Sequence, residues 1–314
     1  MTVNQRPTLL LLDDEERVVR SLRMLFRNDY RTIPCTSGDQ ALAALQKEKV
    51  QVIISDQRMP GMTGVQFLKQ ARQVSPNTMR ILLTGYSDFE AVIDSVNEGE
   101  VFRFVNKPWN PEKLRATVAK AAKIAAESEA VVEEESQPPL SSAKPLDLLL
   151  LDTEARTFAS VTAAAGSTFN VHWARNLQDA LSVLSSHEIS ILVSELKLDG
   201  EDISSAIKIL KEYNPGLMAI IVTSFSDVTS LIDLINQGQV YRYLPKPVSD
   251  GLLQRTITTT VNRYQQLQLK PKLLERYAVE KITHPNELRI ASRLRYCIDR
   301  FRKKHAEVAN ARPL

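Results

Sequence analysis

The sequence predicts an α/β protein made of two tandem doubly wound parallel-sheet domains and a helical carboxyl-terminal tail. Three observations predict it. Short apolar runs closed by turn residues alternate with segments whose apolar residues recur at helical spacing, the pattern of strand-helix-strand crossovers. The pattern then repeats: Asp13 and Asp152, Asp56 and Glu195, Thr84 and Thr223, and Lys107 and Lys246 each lie 139 residues apart. Four landmarks at one separation imply duplication of a domain large enough to bury its own core. Finally, 314 residues with 43% apolar content suit about two globular domains.

The first strand is the Leu-rich run from Thr8 to Leu12, which enters Asp13-Asp14-Glu15-Glu16 and then a helix carrying Val18, Val19, Leu22, Leu25 and Phe26 on one face. A second strand is expected over Tyr30 to Cys35, and a helix from Gly38 to Lys47 uses Ala41, Leu42 and Leu45 inwardly. Val52-Ile53-Ile54-Ser55-Asp56 reads as a buried parallel strand, stopped by Met59-Pro60-Gly61. A helix near Val65 to Val74, a strand from Met79 to Leu83 ending at Thr84-Gly85, a helix from Phe89 to Asn97 and a strand from Phe102 to Val105 follow. After Asn106-Lys107-Pro108-Trp109, a helix beginning near Pro111 carries Leu114, Val118, Ala122 and Ala125 on one side and can run towards Glu135. Domain boundaries are therefore expected at 1–130 for the first unit and 146–268 for the second. An acidic, then Pro/Ser-rich linker occupies 131–145, and a basic helical tail 269–314.

In such a fold Asp13, Asp14, Asp56, Thr84 and Lys107 stand at strand carboxyl ends, the edge where open α/β sheets bind ligands. Taken singly, they equally suit carboxylates at a helix N-terminus, a turn residue and a solvated lysine. Crowded together, three carboxylates call for a hard divalent cation, Mg²⁺ above all. A carboxylate can then attack phosphorus if metal and ammonium neutralise the phosphoryl oxygens.

Residues 8–126 resemble the receiver domain of bacterial two-component response regulators. The resemblance rests on the Asp13-Asp14 pair, the Ser55-Asp56 to Met59-Pro60-Gly61 turn, the Leu83-Thr84-Gly85-Tyr86 run and the Lys107-Pro108-Trp109 end. It implies the flavodoxin-like (βα)5 fold, with Asp56 accepting phosphate from a histidine kinase or phosphotransfer protein. Asp14, Asp56 and the Arg58 backbone carbonyl would ligate Mg²⁺, with Asp13 acting through water. Thr84 and Lys107 would contact the phosphoryl group, while Thr84 and Phe104 act as the switch. An aromatic residue at position 104 is also ordinary strand core.

Residues 147–265 resemble a receiver too, but a degenerate one. Asp152, Thr223, Tyr243 and Lys246 remain, Thr153 replaces the second acid, and Glu195 occupies the acceptor position. Losing a carboxylate weakens the metal site, and the longer Glu195 misplaces the attacking oxygen, so no phosphorylation is expected there. Two readings stay open. Glu195 pairs with Lys246 and fixes one state, or the site has decayed and the sheet survives as a docking or dimerising module.

The formal charge of +3 is uneven: from Asn262 onward 13 Lys/Arg face 5 Asp/Glu. Ile290, Leu294, Cys297, Phe301 and Val308 fall on one helical face, with Arg289, Arg293, Arg300 and Lys303-Lys304 largely on others. This basic amphipathic segment suits packing on the second domain or a partner chain. Binding to nucleic acid is the alternative. His172, His187, His284 and His305 show no ligand spacing, so histidine-based metal binding is not expected. Cys35 and Cys297 are read as reduced packing residues.

No leader pattern and no apolar run near the roughly 20 residues of a membrane span are present, which suggests a cytoplasmic protein. The sequence reading is thus a response regulator without a separate catalytic output domain, signalling through a downstream protein partner, with a homodimer left open. The rivals are a transcription or nucleic-acid regulator using its tail and a phosphate-independent scaffold.

Overall fold

A computed structural model describes residues 6–85, 89–94, 96–97, 101–129, 145–224, 228–238, 240–269 and four isolated positions, 274, 292, 296 and 299. Nearly all of the linker and the tail helix around Ile290 to Val308, with Cys297, His284 and His305, lie outside the described residues. Contacts group the chain into two compact units, Met1–Ser136 with Ser226–Asn236, and Gln137–Phe225 with Gln237–Leu314.

The first unit alternates strands and helices as expected: β1 (Thr8–Leu12), α1 (Glu16–Phe26), β2 (Arg31–Cys35), α2 (Gly38–Lys47), β3 (Val52–Asp56), α3 (Gly64–Val74), β4 (Met79–Thr84), α4 (Phe89–Asp94), β5 (Arg103–Asn106) and α5 (Pro111–Glu129). The five strands are parallel, in the order β2-β1-β3-β4-β5. This is the flavodoxin-like order, in which ligands sit where the winding reverses, between β1 and β3. Central strands β1, β3 and β4 are buried along their whole length, which explains their unbroken apolar runs. Helix starts are chemically marked. The Ser37 hydroxyl accepts from Gln40 N, and Thr63 and Gln66 form a reciprocal capping box at α3, each cap contributing about 1 kcal/mol. α4 is described only to Asp94, short of the expected Asn97, because residues 95 and 98–100 lie outside the described set. The Cys35 thiol is buried and burial pushes its pKa up to about 11, consistent with packing rather than reactivity.

The second unit contains another five-stranded parallel sheet. Its elements are β6 (Leu146–Leu151), α6 (Ala155–Ala165), β7 (Phe169–Ala174), α7 (Leu177–Leu184), β8 (Ile189–Ser194), β9 (Lys197–Leu198), β10 (Glu201–Asp202), α8 (Ser204–Tyr213), β11 (Met218–Thr223), β12 (Arg242–Pro245) and α10 (Asp250–Leu269), while α9 (Val228–Gly238), between β11 and β12 in sequence, groups up to Asn236 with the first unit. The order β12-β11-β8-β6-β7 is the order of the first sheet read from its other end. The β9-β10 hairpin is unforeseen. Asp199 (φ 50°) and Gly200 (φ 84°) turn it, and Gly200 stands 139 residues after Gly61 (φ 79°), so the left-handed turn recurs with a different lead-in.

Lys211 of α8 is fully buried, its Nζ donating to the carbonyls of Pro215 and Leu217. Burial pulls its pKa down to about 7. The unfolded lysine titrates near 10.4, so the folded state binds the proton less well. The resulting penalty is greatest at and below pH 7 and vanishes above about pH 10.4. Urea unfolding should show stability rising from pH 7 towards pH 10, and Lys211→Met should flatten that rise.

Candidate functional site

Every strand of the first sheet delivers its carboxyl end to the same edge, and there the expected side chains meet. Asp13, which directly follows β1, is fully buried, Asp56 closes β3 with 6% exposure, and Asp14 is exposed. One carboxylate oxygen from each lies within 4.8 Å of the others. Lys107, directly after β5, reaches across the sheet edge, its Nζ 2.7 Å from Asp56 Oδ1 and 3.0 Å from Asp13 Oδ2. The second oxygens are held by backbone: Arg58 N donates to Asp56 Oδ2 at 3.2 Å and Glu15 N to Asp13 Oδ1 at 3.0 Å. Thr84, at the end of β4, is fully buried and donates to the Gly85 carbonyl at 3.3 Å.

The electrostatics follow from burial. Desolvation holds the Asp13 carboxyl above its ordinary value, even though Lys107 and the Glu15 N–H pull it down. Burial alone would lower Lys107, but its hydrogen bonds to Asp56 and Asp13 outweigh that and raise it. An ammonium lodged between two carboxylates, with a third beside them, leaves an oxygen-rich cluster of net negative charge. That donor set fits a hard divalent cation.

Sequence reasoning missed the scaffolding around Asp56. Gln57 is buried, its side-chain carbonyl accepting from Val65 N at 3.2 Å and its backbone carbonyl from Gly64 N at 3.0 Å. These bonds tie the start of α3 to the end of β3. Phe104 is 2% exposed, and its backbone N–H and carbonyl, on the outer side of edge strand β5, meet the Asn236 amide at 2.9 and 2.8 Å within the same compact unit.

The equivalent edge of the second sheet is arranged differently. Lys246 Nζ contacts three carboxylates: Asp152 Oδ2 at 2.9 Å, Glu195 Oε2 at 3.0 Å and Glu154 Oε1 at 3.0 Å. Glu195 Oε1 accepts from Leu196 N at 2.8 Å, and Asp152 Oδ1 from Glu154 N at 2.8 Å. Glu154 is the arm that the sequence reading lacked. Thr153 is exposed, whereas Thr223 and Tyr243 are fully buried. Burial, with the Glu195 charge, pushes the Tyr243 hydroxyl up to about 12. Burial opposes the charge on Lys246, but its bonds to Asp152, Glu195 and Glu154 raise its pKa well above that of an ordinary lysine.

Comparison with known proteins agrees with the geometry of the first unit. Residues 9–119 match the response regulator receiver domain family. The hydrogenase transcriptional regulatory protein HoxA of Cupriavidus necator is 42% identical over 118 residues, 38% of this chain and 24% of HoxA. The DNA-binding transcriptional regulator NtrC of Salmonella typhimurium is 32% identical over 120 residues, 37% of this chain and 25% of NtrC. Sporulation initiation phosphotransferase F of Bacillus subtilis is 28% identical over 113 residues, 36% of this chain and 90% of that protein. The chain therefore carries a two-component response regulator receiver domain, and it spans about a quarter of the length of HoxA and NtrC.

One expectation is corrected by these relatives. HoxA and NtrC are transcriptional regulators in which the matched segment is only about a quarter of the protein, so most of each lies beyond the receiver match. The reading that denied the chain a separate catalytic output domain does not stand. Among the described residues, no helix is long and apolar enough to cross a membrane.

Proposed function

We propose that the chain is a cytoplasmic response regulator in which a phosphoaccepting receiver is followed by a degenerate one. The observation that carries this is the convergence of Asp13, Asp14 and Asp56 within 4.8 Å, with the Lys107 ammonium already seated on Asp56. Asp13, Asp14, Asp56 and the Arg58 carbonyl would hold Mg²⁺. When bound, that ion supplies positive charge to the phosphoryl oxygens.

Asp56 acts as the nucleophile. One of its carboxylate oxygens attacks the phosphorus of a phosphohistidine on a histidine kinase or phosphotransfer protein. The P–O bond forms as the P–N bond breaks, and the imidazole leaves carrying the electron pair. Lys107 stays beside Asp56 and neutralises charge on the transferred group. The Thr84 hydroxyl exchanges its Gly85 carbonyl for a phosphoryl oxygen, and Phe104 repacks with it. That pair of states is what a downstream protein partner, or a second copy in a homodimer, reads. In the second unit Lys246 is already engaged by Glu195 and Glu154, which supports a metal-free, phosphate-independent role for that domain.

The test is incubation of the full chain with Mg²⁺ and acetyl phosphate, read by intact mass. One hydroxylamine-labile phosphate is expected, lost in Asp56→Ala and retained in Glu195→Ala. A phosphate persisting in Asp56→Ala would overturn the assignment. No modification, even with a cognate kinase, would leave a phosphate-independent scaffold.

Regulation of transcription is a second reading, favoured by the names of HoxA and NtrC and by the basic carboxyl end of this chain. It predicts salt-dependent binding of the full chain to duplex DNA. Absence of binding at low salt would remove it.

A further inference from the structure

The amino-terminal edge of the first sheet, opposite the carboxylate cluster, holds a cavity of about 1050 Å³. Its floor is fixed by strand pairing. Thr8 stands level with Arg31 and Leu9 with Val52, so the segments entering β1, β2 and β3 open side by side. Arg31 N donates to the Pro7 carbonyl and Gln51 N to the Thr8 carbonyl, both at 3.0 Å, while the Gln51 side-chain oxygen accepts from Thr8 N at 2.8 Å. Helix α5 closes one side with Ala122 and Ala126, one turn apart, whose methyl groups leave room in front of them.

The lining is cationic. Arg6, Arg31, Lys49 and Lys123 reach it from four separate segments against the carboxylate of Glu48, four positive charges to one negative, a net +3. Arg31 and Glu48 pair at the mouth with side chains 53% and 42% exposed, and an ion pair so solvated exchanges partners at little cost. The Arg6 guanidinium makes one long bond, to the Arg27 carbonyl at 3.4 Å, and has no acidic partner among the described residues. Tyr30 is 9% exposed, its ring edge-on to Phe26 at 5.7 Å, and its hydroxyl has no hydrogen-bond partner among the described residues. Burial and the Asp29 charge raise its pKa, so it remains a neutral phenol with a proton to donate. Cations gathered around one cavity repel each other, and a bound anion turns that repulsion into attraction.

The size of the cavity narrows the anion. A single phosphate ion would fill little of a space at the upper end of the small-molecule range. Pro7, Ala122, Ala126 and the Tyr30 ring also add an apolar wall beside the cations, which an inorganic ion cannot use. We propose that this cavity binds a nucleoside polyphosphate, its phosphates on Arg6, Lys49, Lys123 and an Arg31 released from Glu48, and its nucleoside against the apolar wall. Arginine and lysine are the side chains that suit phosphate oxygens. The site shares no residue with the phosphotransfer reading and lies at the other end of the strands from Asp56.

The experiment is isothermal titration of the full chain with ATP in Mg²⁺-free buffer at about 150 mM salt, where long-range attraction is screened. One equivalent should bind. Arg6→Glu and Lys123→Glu should each weaken binding about tenfold or more, the loss of one charge-assisted hydrogen bond, and AMP should bind more weakly than ATP. Glu48→Gln should act in the opposite direction and tighten binding, because it removes the acid and releases Arg31. Circular dichroism establishes that each variant is folded. Photocrosslinking with 8-azido-ATP and peptide mapping should label segments that hold Tyr30, Lys49 or Lys123 rather than the basic carboxyl end. Absence of ATP binding, binding unmoved by all three variants, or labelling confined to 262–314 would overturn the proposal. Tripolyphosphate binding as tightly as ATP would overturn the assignment to a nucleotide.

Discussion

Replacing Lys246 with alanine is expected to destabilise the second domain by about 3–5 kcal/mol, the cost of breaking a buried ion pair from one side. Asp152 and Glu195 have side chains 1% and 10% exposed, and their shared counterion is the Lys246 ammonium, itself 12% exposed. Glu154, at 55% exposure, is solvated and adds little. Removing the ammonium leaves two crowded, desolvated carboxylates, which can then be relieved only by water, a proton or a cation.

The sign with pH distinguishes this from a packing defect. In the intact protein the folded-state pKa of Lys246 is raised, so its contribution is complete below the unfolded value near 10.4 and is lost only as pH rises beyond that. The deficit of Lys246→Ala relative to the intact protein should therefore be full at pH 7 and smaller near pH 11, where the intact ion pair itself begins to be lost. Urea unfolding at both pH values, with Lys246→Met retaining most of the side-chain volume, is the measurement. Equal losses at both pH values in both variants would point to packing instead. Lys107→Ala in the first domain should cost less, since Lys107 is 30% exposed and bonds two carboxylates rather than three.

The contrast between these two lysines marks what the sequence can and cannot convey. Strand ends were legible because a buried parallel strand has to be apolar throughout and has to stop at a polar turn. Asp13, Asp56, Thr84 and Lys107 consequently meet by topology alone. The second arrangement was half legible. Glu195 was visible at the acceptor position, but Glu154 joins Lys246 only through the path of the backbone from Asp152 into α6. The Asp199-Gly200 pair is a strong hairpin signal that was available and went unread. The contact between the His172 and His187 rings, whose centres are 4.0 Å apart, carried no local signal, because it depends on how β7 lies beside the α7-β8 turn.

Gly64→Ala should be among the most damaging single-methyl additions to the first domain. A Cβ built on Gly64 would stand 2.1 Å from the Asp56 carbonyl oxygen and 2.8 Å from Leu82 Cδ1. The first is a backbone atom that cannot turn aside, so either β3 or the start of α3 has to move. Overpacking of this kind costs roughly 1–3 kcal/mol and at times more. Here the displaced atom belongs to Asp56, the proposed phosphoacceptor, so phosphate uptake should fall along with stability. Gly61 is the control. Its φ of +79° imposes strain on any side chain, but nothing lies within 4 Å of its added Cβ, so Gly61→Ala should cost about 1–2 kcal/mol with phosphorylation largely kept. The second unit shows what accommodation requires. Ile203 stands 139 residues after Gly64, keeps the matching bond from its N–H to the Leu196 carbonyl at 3.0 Å, and is buried. There the helix begins one residue later, at Ser204, after a hairpin that the first domain lacks. The second unit could therefore take a large side chain at this position by rebuilding the loop. The first, which on the proposed function holds Asp56 for attack, keeps the glycine, and acetyl phosphate uptake by Gly64→Ala and Gly61→Ala at matched folded fraction would separate the two effects.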